Sequence, residues 1–197
     1  MTGLRTGKLP PALLRELVLG KLGARRPETL VRAQLGVDAA AVAFDSDSAC
    51  VLTTDPITTA THGAGRLAVH VVCNDLACLG AEPIGVLATL LFPEGVTPTA
   101  IAETCDHIDA AARDLNVEVL GGHTEIAPGL QAPIVVMTGV GRARRDRVLT
   151  AAAAQPGNDL VLTKAAGLEG THILANDFSA RLKGLPAAVL EEARGYA

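Results

Sequence analysis

The chain reads as an α+β domain, a mixed β-sheet with helices layered on one face, and three observations predict it. Short apolar runs bounded by turn residues recur at 40–44, 49–54, 84–92, 117–120 and 134–141. Long segments with apolar residues at helical spacing, 66–79 and 97–116, separate them. The 197 residues are 49% hydrophobic and 19% charged, enough apolar surface for a sizeable core where a disordered chain would fall short.

The elements follow in order. Pro10 and Pro11 suit a first helical turn, and Leu13, Leu14, Leu17 and Val18 recur on one face, so 11–22 is expected to be a helix closed by Gly23. The runs 40–44 and 49–54 are joined by Asp45-Ser46-Asp47-Ser48, turn chemistry that predicts a hairpin. RLAVHVVCNDLACL, 66–79, is too long and too apolar for one strand and reads as a buried helix ended by Gly80. A buried strand follows at 84–92. Thr97 is the expected N-cap, with Pro98 at the first position, of a helix to about Asn116.

Two more strands are read at 117–120 and 134–141, with Gly121-Gly122 as a loop between them. After the Pro156-Gly157 turn, 159–163 is expected to start a new strand, followed by helices at 168–178 and 186–194. The length allows one domain, or one plus part of another. We place the boundary near residue 155, giving 1–155 and 156–197.

Composition excludes several classes. Lys plus Arg is 17 and Asp plus Glu is 21, a net charge of −4, with three Phe, one Tyr and no Trp. There is neither a broad cationic face nor a stacking platform for nucleic acid. Cys50, Cys73, Cys78 and Cys105 form no CxxC pair and read as reduced core thiols. Arg15, Glu16 and Lys21 interrupt the N-terminal apolar stretch, unlike a secretory signal, and the run 84–92 is far short of a membrane span. The expected location is the cytoplasm, without membrane insertion.

Carboxylates recur beside element ends: Asp38 in LGVDAAAV, Asp55 in TTDPIT, Asp75 in CNDLACLG and Glu125 in GGHTEIAPG. Such oxygens suit Mg²⁺, which takes one or two protein carboxylates and completes its shell with water and phosphate. Asp38 and Asp55 can equally be turn or cap residues, and Glu125 a solvated acid. Asp75, beside Asn74 in an apolar helix, needs a partner or a cation, because an unpaired buried carboxylate is costly.

Gly121-Gly122-His123-Thr124-Glu125 suits either close approach of a phosphate or a tight turn, and His123 is either an acid-base group or an ordinary loop histidine. Gly167-Leu168-Glu169-Gly170-Thr171 stands before a helix whose amides would attract anions, or is a simple connection. It is not a Walker A motif. His70 and Asn74 can share a helix face, and a self-satisfied core pair is the preferred reading.

Read together, LGVDAAAV, TTDPITTAT, RLAVHVVCNDLACLGAEP, GGHTEIAPG, VVMTGVG and PGNDLVLTKAAGLEGTHIL resemble, in one order over residues 8–178, the aminoimidazole ribonucleotide (AIR) synthase or PurM-like superfamily. That superfamily includes thiamine monophosphate kinase, selenophosphate synthetase and the carbamoyl-dehydrating hydrogenase maturation factor, HypE; GGHTE and TTDPIT make this chain most similar to the last and its relatives. The resemblance implies a PurM-like N-terminal domain that forms a homodimer by sheet pairing, holds ATP and Mg²⁺, and assists or catalyses phosphoryl transfer to a small-molecule substrate. It implies Asp38, Asp55 and Asp75 as metal ligands and Asn74, Gly121, Gly122, His123, Thr124 and Glu125 as nucleotide contacts. Phosphoryl transfer depends on positioning and on charge neutralisation by Mg²⁺, which suits such residues.

The chain departs from the family pattern in three places. Val37 precedes Asp38 where many relatives have a second acid, and His123 stands where the kinases have Asp. The sequence closes on Arg194-Gly195-Tyr196-Ala197 without the dehydratase's terminal cysteine. The second domain is expected to be truncated or separately encoded. The alternative function is a non-catalytic, dimerising nucleotide-binding scaffold.

Overall fold

The computed structural model describes residues 11–15, 19, 27–31, 34–37, 39–43, 45–58, 60 and 62–196. Pro11–Leu14 forms a short helix, α1; most of the rest of the expected 11–22 helix lies outside the described residues. Six strands make one sheet: β1 (Thr29–Val31), β2 (Ala40–Ala43), β3 (Ser48–Ile57), β4 (Glu82–Phe92), β5 (Glu118–Ile126) and β6 (Ile134–Arg144). Their order is β1-β2-β3-β6-β4-β5. All neighbours run antiparallel except β4 and β5, which are parallel. The sheet is therefore mixed, as the sequence predicts.

The β2–β3 hairpin forms where the turn residues require it. Asp45 Oδ1 accepts the backbone N–H groups of Asp47 and Ser48 at 2.8 and 2.6 Å, and its other oxygen accepts the Ser48 hydroxyl at 2.7 Å. These bonds hold the exposed Asp45 carboxyl below its ordinary pKa.

Helices α2 (Ala64–Cys78) and α3 (Pro98–Asp114) lie against the sheet. Thr97 caps α3 as expected, accepting the Ala100 N–H at 3.2 Å, with Pro98 at the first position. The two helices approach closely at Gly65, where a Cβ would lie 2.6 Å from the Thr104 carbonyl oxygen. Helices α4 (Leu168–Asp177) and α5 (Ala187–Arg194) follow the sheet and pack on each other.

Strand alternation sends Val51, Val86, Leu90, Phe92, Val135 and Met137 into the layer under the helices, and each is almost wholly buried. They meet Leu67, Val69, Val72 and Leu76 of α2 and Ile108 of α3 in two apolar clusters. Burying each large side chain contributes about 1.5–3 kcal/mol. The opposite sheet face carries Leu52, Thr54, Val136, Thr138, Leu87 and His123 and meets no described helix; Thr138 donates to Thr54 Oγ1 at 3.1 Å across the strands.

The core reading of the cysteines fails for Cys78 and Cys105, which are exposed, and two strand expectations fail as well. The 159–163 strand does not form: Leu160, Val161 and Leu162 are 101%, 85% and 69% exposed and join no sheet. A strand is defined by a ladder, and these residues pair with no described strand. The strand read at 117–120 runs on to Ile126, so Gly121-Gly122 is not a loop.

His70, on α2, has its Nε2 buried with no described hydrogen-bond partner. Burial, then Arg66 and Lys164, push its pKa below the ordinary 6.5, with Asp114 opposing. The unfolded chain then binds the proton more readily, so this residue subtracts stability as pH falls below its unfolded pKa. Lowering the pH from about 7.5 to about 5.5 is expected to reduce the urea midpoint, and His70→Gln to flatten that dependence. An unchanged pH profile in the variant would rule out His70 as its source.

Candidate functional site

Asp75 sits near the C-terminal end of α2 and faces β3. The Thr53 hydroxyl, 6% exposed, donates to Asp75 Oδ2 at 2.7 Å. The partner that the sequence demanded for this carboxylate is thus a core threonine. Asp55 lies two residues further along β3, on the same strand face as Thr53 by alternation and about 7 Å on. Strand β3 and helix α2 therefore bring Asp55 and Asp75 to one side of the sheet. Asn74, beside Asp75, is exposed. Asp38 lies outside the described residues.

Gly121, Gly122, His123, Thr124 and Glu125 all lie in β5, which pairs with β4 alone and forms an edge of the sheet. Gly122 has φ +154°, and a Cβ on it would sit 1.9 Å from the Ala88 carbonyl oxygen. The glycine is needed for the strand to approach β4, a requirement the sequence disguises as a turn. His123 Nε2 and Glu125 Oε2, two residues apart on the open face, lie 3.1 Å from each other. Beside them a cavity of about 410 Å³ runs between α3 and β5, lined by Cys105, Val119, Gly121, Gly122, His123 and Thr124.

Strand order separates the two groups within one chain. β3 and β5 are three inter-strand steps apart, roughly 14 Å. The acids on β3 and α2 and the GGHTE strand thus do not meet within this chain.

A third cluster went unread in the sequence. His62, just before α2, donates its backbone N–H to Asp177 Oδ1 at 3.1 Å, and its ring Nδ1 contacts the same oxygen. Asp177 ends α4 and its side chain is 5% exposed. His172, also on α4, faces the same cavity as His62. The partners are 115 positions apart, and no local pattern announces such a pair.

Among the described residues no group of three or more His, Cys, Asp or Glu could hold a metal ion. That donor set still fits Mg²⁺, which needs only one or two carboxylates beside substrate phosphate, and does not fit a closed protein cage. No described helix is long and apolar enough to cross a membrane.

A mixed six-stranded sheet with helices layered against it is the architecture of PurM-like proteins. It is shared with AaThiL complexed with AMPPCP and TMP, at a TM-score of 0.72 and 18% identity, over 96% of this chain and 61% of that one. It is shared too with the hydrogenase maturation protein HypE in complex with ATP, at a TM-score of 0.61 and 23% identity, over 92% of this chain and 52% of that one. Residues 36–143 match the N-terminal domain of the AIR synthase related proteins, and the chain belongs to that family. A hydrogenase expression/formation protein of Methanocaldococcus jannaschii is 26% identical over 189 residues, 90% of this chain and 55% of its own length. The chain spans about half the length of the curated relatives it matches.

Proposed function

We propose that the chain provides the ATP- and Mg²⁺-binding part of an enzyme that transfers a phosphoryl group to a small substrate. The observation that carries this reading is that Asp75 is held by the Thr53 hydroxyl on the helix side of β3, the face on which alternation also places Asp55. Bound there, Mg²⁺ would neutralise charge on the phosphates, while Thr53 holds the Asp75 carboxylate in one orientation. HypE with ATP and AaThiL with AMPPCP, similar in fold, support the nucleotide.

The working form in this reading is a homodimer in the cytoplasm. Support comes from β5, an edge strand exposed along all nine residues and carrying Val119, Leu120 and Ile126, because an uncovered apolar edge is a template for pairing with another chain. His123, Thr124 and Glu125 would contact nucleotide from this edge. The exposed Leu160, Val161 and Leu162 would be covered by a further domain, in the same polypeptide or separately encoded.

Calorimetric titration with ATP in Mg²⁺ tests the proposal: saturable binding is expected, weakened at least about tenfold in Asp55→Asn. Absence of binding by the dimer, or an unaffected variant, would sink it. The unpaired 159–163 segment favours a second reading, a dimerising scaffold that binds nucleotide without turnover, and phosphate release by the purified chain would exclude that.

A further inference from the structure

The His62–Asp177 pair lies outside every group assigned to nucleotide or metal, and it is built like an acid–base dyad. An ionised carboxylate can only accept, so the contact with Asp177 Oδ1 puts the ring proton of His62 on Nδ1 and makes Nε2 the acceptor atom. The His62 backbone N–H donates to the same oxygen at 3.1 Å, which ties ring and main chain to one carboxylate. The Asp177 side chain is 5% exposed, whereas that of His62 is 73% exposed. A buried acid orienting an accessible imidazole is the arrangement that fixes the tautomer of a general base.

His62 lines a cavity of about 370 Å³ between the start of α2, α3 and α4, within the roughly 300–1,000 Å³ of small-molecule sites. The other titratable groups in its wall are Glu103 and His107, exposed on α3, and His172, buried on α4 and bonded to the Arg194 carbonyl. Among the described residues no Lys or Arg lines the cavity, so no fixed cation offsets the charge of an anionic guest. Val135, also in the wall, pairs with Ile57, which lies two residues beyond Asp55 on the same strand face. The cavity therefore opens about 7 Å along β3 and one strand spacing, roughly 5 Å, from Asp55. The dyad and the proposed metal site are neighbours on the helix side of the sheet.

We propose that this cavity takes the phosphoryl acceptor, that the acceptor is a neutral hydroxyl compound, and that His62 is its general base. The inference rests on the phosphoryl-transfer reading above. An anionic acceptor already carries its attacking lone pair, whereas a hydroxyl must lose a proton as it attacks. In that step the acceptor oxygen bonds the γ-phosphorus of ATP and its proton passes to His62 Nε2. The bond between the γ-phosphorus and the β,γ-bridging oxygen breaks, and its electron pair leaves on ADP. Asp177, the positioning residue, pairs with the imidazolium so formed, which then gives its proton to water.

The test uses the full chain, with glycerol, ethylene glycol and glucose as hydroxyl probes and acetate and inorganic phosphate as anions. Without nucleotide, ¹⁵N NMR of the histidine rings is expected to show His62 as the Nδ1–H tautomer, its Nε2 shifted saturably by at least one hydroxyl probe and by neither anion. With ATP and Mg²⁺ that probe is expected to be phosphorylated, as read by ³¹P NMR. His62→Asn keeps a donor for Asp177 but no base, and should slow transfer at least about a hundredfold at unchanged ATP affinity. His62→Ala is expected to regain part of the rate with added imidazole, a rescue that a merely structural histidine would not show. Asp177→Asn should move the ring toward the Nε2–H tautomer; if it does not fold, the two His62 variants decide. No hydroxyl probe shifting Nε2 or being phosphorylated, an equal response to acetate or phosphate, or full rate in a folded His62→Asn protein would overturn the proposal. Loss of ATP binding with a retained shift at Nε2 would instead sink the phosphoryl-transfer reading.

Discussion

Gly122→Ala is expected to destabilise the protein by about 3 kcal/mol or more. The new Cβ would lie 1.9 Å from the Ala88 carbonyl oxygen, 2.7 Å from its carbon and 2.9 Å from its nitrogen. All three are backbone atoms of the partner strand, so no side chain can rotate away. Relief requires β5 to leave β4, and the φ of +154° is itself unfavourable for alanine. For a chain of this size the melting temperature should drop by roughly 6–12 °C. Gly170→Ala, inside α4 with nothing within 4 Å of the added carbon, is the control and should be neutral or stabilise by about 0.5–1 kcal/mol. Equal melting temperatures for the two variants would refute the close approach at β5.

Asp75→Asn is expected to have the largest functional effect, loss of Mg²⁺-dependent ATP binding by at least about a hundredfold. The amide keeps the size of the carboxylate and can still accept from the Thr53 hydroxyl at 2.7 Å, so folding should change little. What disappears is one negative charge and one hard oxygen donor, the two properties a Mg²⁺ ligand needs. Thr53→Val separates orientation from charge: it keeps the carboxylate, removes its fixing bond, and should cost about 1.5–3 kcal/mol of stability with weaker, Mg²⁺-dependent binding. Circular dichroism on both variants beside calorimetry distinguishes the effects. Full binding by a folded Asp75→Asn protein would refute its role as a metal ligand.

What the sequence makes legible is local. Asp45 announces its own turn, Thr97 and Pro98 their helix start, and the apolar stretch of α2 its burial. The family likeness extends this to the whole sheet. What stays hidden depends on partners far along the chain. Gly121-Gly122 looks like a loop because glycine lacks a side chain, whereas the reason for Gly122 is the Ala88 backbone across the ladder. The 159–163 run has strand composition, but composition does not make a ladder, and the run pairs with no described strand. Asp75 called for a partner without naming Thr53, 22 residues away. The His62–Asp177 and His172 cluster gave no signal, since its members look unremarkable until α4 folds back on the start of α2.

The position of β6 governs the order in which this fold can assemble. It lies between β3 and β4, both earlier in the chain, and its Thr138 pairs with Thr54 across more than eighty residues. The β1–β3 part and the β4–α3–β5 part are each contiguous in sequence, yet they share no strand ladder until 134–144 slides between them. On the ribosome, the two halves emerge as separate pieces whose central strand edges stay open, and the last strand acts as the keystone. Such late, long-range closure slows folding and lengthens the interval during which those edges can meet another chain.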